Sequence, residues 1–405
     1  MRDVKRTFII YLLPLLATVF MLYAQTAKAQ TKNDSVEVAL LTCSPGQQVY
    51  ALYGHTAIRY HDLRTGEDWV FNYGIFSFKQ PHFVWRFALG KTDYELGVMP
   101  YNIFRDEYAS EGRSIIAQTL NLTYDEKEKL FNALKENFMP ENRTYRYNFF
   151  YDNCTTRARD MIEKNINGKL NLPDNKDVTS SFRKMVHDYN SAHPWARLGN
   201  DMLLGMKADY KTNARQQEFL PVNLLNDFND ATITGPDGIT RSLLISTKTI
   251  LQPGVQTINK EFPLSPMECA ITLLIITVIV MIFEYTQNKT VWIYDTILML
   301  VQGVAGCVIL FMFFSEHPTT STNLLILLLN PVPLFFIPKM IKKARKHQKD
   351  VYFRYANILL VLYFIVLAFG IQEFPPAMSI VALCLLLRSI SRFVLERKTV
   401  IENKK

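Results

Sequence analysis

Cysteine is scarce in this chain, with five residues in 405. Cys269, Cys307 and Cys384 lie in apolar C-terminal stretches, which leaves Cys43 and Cys154 for the polar N-terminal half. Two thiols make no disulfide framework, so the fold cannot depend on a set of cross-links. They admit either one bridge between them or a free Cys154 kept for another task. Histidine is also sparse, with seven residues. His61, His82, His187 and His193 fall at no ligand-like spacing, so we expect no metal. There is no glycine-rich phosphate loop and no internal repeat, which excludes nucleotide-dependent chemistry of that kind and solenoid scaffolds. We expect no cofactor.

What the chain has in excess is long apolar runs. The N-terminus reads "MRDVKR", then "TFIIYLLPLLATVFMLYA", then "AKA" at 27–29. A basic start, an apolar core and a small-x-small site make a secretory signal peptide over residues 1–29. The apolar core is long enough to serve as an uncleaved anchor instead. Either way, residue 30 onward begins outside the cytoplasm. Five further runs, at roughly 268–286, 291–314, 323–338, 351–371 and 375–394, approach or exceed the length needed to cross a bilayer. The third is short and holds Pro331 and Pro333. The gap "KMIKKARKHQKD" at 339–350 and the C-terminal tail are rich in Lys and Arg, while "SEHPTTST" and "QEFPP" hold none. Five spans leaving an exported domain place those basic segments in the cytoplasm, as the positive-inside rule requires. The leader and the cytoplasmic segments together carry +11, against +8 for the whole chain, which leaves about −3 elsewhere. The basic balance is therefore a topology signal, and we expect no nucleic-acid partner. The domains are 1–29, 30–265 and 266–405, the last multi-pass in the cell inner membrane.

Within 30–265, Val36, Val38 and Leu40 alternate as in a strand. "GHTAIRYHD" and "DWVFNYG" read as a hairpin turned by "LRTGE". Thr123 and Glu126 make a capping box ahead of a helix whose apolar positions are Leu130, Phe131, Leu134 and Phe138. The segment "YDNCTTRARDMIEKNING" begins a second helix. Asp152 or Asn153 supplies its N-cap, Ala158, Met161, Ile162 and Ile166 form its apolar stripe, and Asn167-Gly168 stops it. Cys154 then falls in the first turn, where unpaired N–H groups and the helix dipole favour a thiolate. A turn centred on residues 64–65 places His55 opposite Gly74 with Asn72 as diagonal neighbour on the same face. A slip of one residue brings Tyr73 there instead. A strand His, oriented by a polar neighbour and aimed at a helix-capping Cys, is an arrangement for nucleophilic catalysis. A structural cysteine is the plainer alternative.

The order of strand His before helix Cys resembles the circularly permuted branch of the papain-like (NlpC/LRAT-like) superfamily. The motifs "YGHTAIRY", "FNYGIFSF", "FALGKTDYEL", "YRYNFFYDNCTTRARD" and the membrane-loop "SEHP" resemble the Lnb N-terminal periplasmic domain family, in members with a five-span tail. That resemblance implies an α+β periplasmic domain followed by an α-helical bundle of five transmembrane spans. It also implies lipoprotein N-acyltransferase activity. A phospholipid acyl donor would load Cys154, with His55 as base, and lipid-modified lipoproteins would accept the chain. The orienting role of Asn72 remains a geometric reading. Tyr53, Asp152 and Asn153 flank the catalytic pair and are expected at the substrate. Glu316 and His317, on a loop facing the domain, either bind a head group, complete the site or cap a helix. Phe76, Phe78, Phe83, Trp85 and Phe87 either meet the membrane surface and admit acyl chains or form core. Two other functions compete: a membrane-anchored cysteine peptidase or amidase acting on cell-wall peptides, and a non-catalytic periplasmic receptor or chaperone.

Overall fold

The alternating segment that opens the exported half becomes the middle of a sheet. In the computed structural model, which describes residues 34–402 apart from 78, 80, 174–178, 257–261, 347 and 349, β1 (Val36–Cys43) pairs antiparallel with β2 (His55–Asp62) and β5 (Ile115–Leu120). The segment expected to be a signal peptide lies outside the described residues. With β3 (Glu67–Ile75), β4 (Asp93–Pro100), β6 (Thr144–Arg146) and β10 (Leu244–Leu251), the order across the sheet is β10-β5-β1-β2-β3-β4-β6. β1 is buried on both faces: Val38 and Leu40 on one, Ala39, Leu41 and Cys43 on the other. Helices cover both faces, which is why the alternation is between two apolar sets and not apolar and polar. α1 (Phe83–Ala88) lies at the sheet's end. α2 (Tyr101–Ser110) covers the Leu41 face through Phe104 and Tyr108. α3 (Tyr124–Phe138), α4 (Cys154–Lys164) and α8 (Pro221–Asp230) cover the Leu40 face. The Thr123–Glu126 capping box forms. Between α4 and α8 come α5 (Phe182–Tyr189), α6 (Pro194–Leu203) and α7 (Ala214–Gln217), and a small sheet joins β7 (Lys169–Asn171), β8 (Thr232–Thr234) and β9 (Thr240–Ser242).

Among the described residues, five helical segments are long and apolar enough to cross a membrane: α9 (Pro266–Gln287), α10 (Trp292–Met312), the segment Leu324–Arg345, α12 (Val351–Ala368) and α13 (Pro376–Glu402). The third segment is broken. A 3-10 turn at Leu324–Leu327 gives way at Asn330-Pro331 to α11 (Val332–Arg345), because proline cannot donate to the preceding turn. α10 presents glycines to the break. A Cβ at Gly306 would collide with the Asn330 backbone, and one at Gly303 would collide with Leu334. Small residues here let the two backbones touch, as is common where helices pack in lipid. Glu284 and Asp295 are buried and partnered. Arg388 Nη1 and Nη2 donate to Glu284 at 2.8 and 2.9 Å, Arg388 Nε donates to Asp295 at 2.7 Å, and Arg392 Nη2 pairs with Asp295 at 2.6 Å. Two acids and two arginines form a neutral lock joining α9, α10 and α13.

The periplasmic half is bolted to the loops of the bundle. Ser315 Oγ donates to Ala88 O at 2.7 Å and Glu316 N to Leu89 O at 2.8 Å. His317 Nε2 lies 2.9 Å from Phe87 O. Gly90 makes this approach possible. It has φ of +69°, and a Cβ there would lie 2.9 Å from His317 N. At a second segment of the domain, Gly205 N donates to Thr319 O at 2.7 Å and Asn323 Nδ2 to Met202 O at 2.7 Å, and Trp195 Nε1 donates to Leu264 O at 2.9 Å.

Candidate active site

The site lies where β1, β2 and β3 end. β2 begins at His55 directly after Gly54, and its ladder with β3 runs from Asp62 opposite Glu67 to Ile58 opposite Phe71. Extended by three residues, that register sets His55 against Gly74, the one expected from the turn. Gly74 has φ of +95° and stands in a bulge between Tyr73 and Ile75 on the β4 side. A bulge there bends the strand end and opens the space above it. A Cβ on Gly74 would lie 3.8 Å from Cys154 Cβ and 3.9 Å from His55 Cε1, so this glycine backs both side chains.

Asn153 is the cap of α4. Its Oδ1 accepts from the N–H groups of Thr155 and Thr156 at 2.9 and 3.0 Å, and its own N–H donates to Thr156 Oγ1 at 2.9 Å. Its Nδ2 donates to Phe149 O and Phe219 O, so the side chain is saturated and has no group left for a substrate. Asp152 plays no part in capping. It forms a two-point pair with Arg157 at 2.6 and 2.8 Å, and Arg157 in turn lies 3.6 Å above the Tyr145 ring. The apolar stripe of α4 faces the core through Ala158, Ile162 and Ile166, with Met161 partly covered.

Cys154 is half-buried at the first position of α4, and both it and Cys43 are free thiols, which answers the question of a bridge. His55 Nε2 lies 2.5 Å from Asn72 Oδ1. Asn72 Oδ1 can only accept, so Nε2 carries the proton and Nδ1 is left for the thiol. Burial opposes ionisation of Cys154, but the His55 charge, the His55 hydrogen bond, the Thr56 backbone N–H and the Thr155 hydroxyl outweigh it and bring the thiol down to about 7. Burial likewise opposes protonation of His55, and the Cys154 charge and hydrogen bond, with that of Asn72, outweigh it and raise its pKa above the usual 6.5. The pair thus favours thiolate and imidazolium together. Cys43, one strand away, differs: burial pushes its thiol up to about 12, so it stays protonated.

Three tyrosines surround Cys154. Burial raises the hydroxyls of Tyr108, Tyr145 and Tyr147, and the Cys154 charge raises each further. Tyr145 Oη is buried with no hydrogen-bond partner, and the Cys154 N–H, in the first helical turn, also has none among the described contacts. The sequence offered no sign of Tyr145, because its neighbourhood depends on β6 pairing with β4 at the sheet edge.

The remaining sequence candidates lie elsewhere. Tyr53 Oη accepts from Asn200 Nδ2 at 2.7 Å, and its ring meets Phe149 and Tyr189, so it ties the approach to His55 to α6. Burial pushes that hydroxyl up to about 12. Glu316 pairs with Lys91 at 3.5 Å and Arg146 at 3.2 Å, and His317 bonds the end of α1. Neither contacts Cys154 or His55; both belong to the junction between the halves.

The chain matches two family profiles in order along its length. Residues 23–190 match the Lnb N-terminal periplasmic domain and residues 257–399 match the Lnb transmembrane domain. Comparison with curated proteins and comparison with solved structures each found no match. A mixed α+β domain carrying a Cys–His–Asn cluster, clasped to five apolar spans and matched on both sides of that clasp, makes the chain a member of the Lnb family, multi-pass membrane proteins with a periplasmic N-terminal domain.

Proposed function

We infer that this chain is a lipoprotein N-acyltransferase of the inner membrane, working through a Cys154 thioester. The observation that carries this reading is a thiol brought down to about 7 by a neighbouring imidazole, on a domain clasped to a five-span bundle. The thiolate attacks an ester carbonyl of a phospholipid. The oxyanion is met by the Cys154 N–H and by the Tyr145 hydroxyl, which is buried without a hydrogen-bond partner and feels the Cys154 charge. The carbonyl–oxygen bond breaks, His55 gives its Nδ1 proton to the departing alkoxide, and a lysophospholipid leaves. The α-amine of a lipoprotein's lipid-modified N-terminal cysteine then attacks the thioester. His55 takes the amine proton, the carbon–sulfur bond breaks, and an amide forms as the thiolate returns. Asn72 holds the imidazole with Nδ1 toward sulfur throughout.

The test uses the purified full chain with phospholipid and a diacyl lipopeptide. Triacyl product by mass spectrometry, and an acyl group trapped on Cys154 when the lipopeptide is omitted, are the expected results. No product from wild type, or undiminished product from Cys154→Ala, would overturn the reading. A peptidase or amidase would use the same pair, and cleavage of muropeptides by the full chain would favour it. Bonding of two segments of the domain to the bundle supports the lipid substrate, because a soluble peptide needs no such placement.

A further inference from the structure

α1 is short, and its polar and apolar sides are sharply divided. Arg86 bonds Asp93 on β4 and Phe83 packs inward, while Val84, Trp85 and Phe87 are 75 %, 62 % and 46 % exposed. Three adjacent large apolar side chains in water would be a costly surface for a soluble domain. Their position gives the reason. The Trp85 ring meets Phe311 edge-on at 5.4 Å between centroids, and Phe311 belongs to the last turn of α10, one of the five apolar spans. Phe314, two residues past the end of that span, is 73 % exposed, so the apolar surface of α1 continues into the lipid-facing surface of α10. Ser315, Glu316 and His317 bond the backbone at the end of α1, so the helix is held at the level where α10 leaves the bilayer. Tryptophan and phenylalanine at such a level belong in the membrane interface.

From that level a run of rings leads to the site. Phe87 stacks with Phe83 at 6.1 Å, Phe83 with Phe76 at 5.7 Å, Phe76 with Tyr94 at 4.9 Å and Tyr94 with Tyr147 at 4.1 Å. Tyr147 and Cys154 pack against the same buried cluster of the domain, and the Cys154 charge acts on the Tyr147 hydroxyl. We propose that α1 is seated in the periplasmic leaflet of the bilayer, and that a lipid acyl chain reaches Cys154 along the wall of rings running from Phe87 to Tyr147. The seat stands on the packing of α1 against α10; the path rests on the acyltransfer reading above.

The test has two arms, both on the full chain in phospholipid vesicles. In the first, the fluorescence lost in Trp85→Phe is measured with chain-brominated phosphatidylcholine and with aqueous acrylamide. Quenching of the Trp85 component by the brominated chains is expected. Quenching by acrylamide alone would overturn the seat, whatever the enzyme's activity. In the second, Val84→Asp puts a charge on the exposed side of α1, where folding does not depend on it. Acylation of Cys154 by bilayer phospholipid should slow by about tenfold, the equivalent of the transfer free energy of one small apolar side chain. Alkylation of Cys154 by water-soluble iodoacetamide should be unchanged. Equal slowing of both reactions, or of neither, would overturn the path. A wild-type Cys154 that accepts no acyl chain at all would remove the acyltransfer reading and the path together, and leave the seat standing on the quenching result.

Discussion

Replacing His55 with alanine separates two causes of an acidic thiol that the structure sets side by side. Cys154 stands at a helix N-terminus, where the dipole and free N–H groups lower a thiol pKa. It also stands beside an imidazole. The capping of α4 weakens the first cause, because Asn153 has already claimed the N–H groups of Thr155 and Thr156. The second is therefore expected to dominate. Without His55, burial is left opposed only by Thr56 N–H and the Thr155 hydroxyl, and the thiol should move from about 7 to its ordinary 9.0 or above. At pH 7 the thiolate fraction then falls from half to about one per cent, roughly fiftyfold. A more basic thiolate is also a better nucleophile, by about tenfold over two pH units at a Brønsted slope near 0.5, so the alkylation rate at pH 7 falls only about fivefold. The midpoint of the rate against pH is the better readout. Iodoacetamide labelling of the Cys154 peptide, followed by mass spectrometry from pH 5 to 10, should show a midpoint near 7 in wild type and near or above 9 in His55→Ala. A variant midpoint still near 7 would refute the reasoning and return the acidity to the helix end.

Asn72→Ala leaves His55 Nε2 without its 2.5 Å partner and frees the ring to turn, so turnover should fall by about 10 to 100-fold with little change in KM, as expected of a group that orients a base. Tyr145→Phe removes a buried hydroxyl that has no other partner; thermal stability should hold while the rate of Cys154 acylation drops by about 100-fold, the worth of one oxyanion donor. The pH dependence of acylation should be bell-shaped. Its acid limb lies near 7, where Cys154 gains a proton, and its alkaline limb lies above the usual histidine value, where His55 loses the proton the leaving group needs. In the bundle, Arg388→Met strands Glu284 and should lower stability by about 3 to 5 kcal/mol, read as a fall in melting temperature in detergent.

Much of this is legible in local sequence patterns. The hairpin turn set the register that puts His55 and Asn72 together, because strand pairing is periodic and one short loop determines it. Apolar length and the placement of Lys and Arg gave the spans, and Pro331 marked the one that breaks. What stayed hidden depends on residues far apart in the chain. Glu316 and His317 read as site candidates from a polar loop, but their partners Arg146 and Phe87 lie 170 and 230 residues away. Arg388 and Arg392 sat in an apolar run with no sign of which acids they meet, and Glu284 and Asp295 are about 100 residues from them. The sequence points to the helix end as a source of the thiol's acidity, while the share due to His55 depends on a contact between residues about 100 apart, which a sequence does not display. Asp152 looked as good a cap as Asn153; its pairing with Arg157 decides between them.

The contact at Gly90 turns the periplasmic domain into a gauge of height. Backbone held against backbone, with no side chain between, leaves the domain little play relative to the bundle, so Cys154 stays at one elevation above the bilayer. A nucleophile on a flexible tether could sample acceptors over a range of depths. A fixed one can serve only an amine presented at its own level. Under the acyltransfer reading, that selects for amines attached directly to a lipid anchor and against those at the end of a long peptide, whatever sequence follows. Choice among acceptors would then follow the distance between amine and membrane, and one glycine sets the reference point from which that distance is measured.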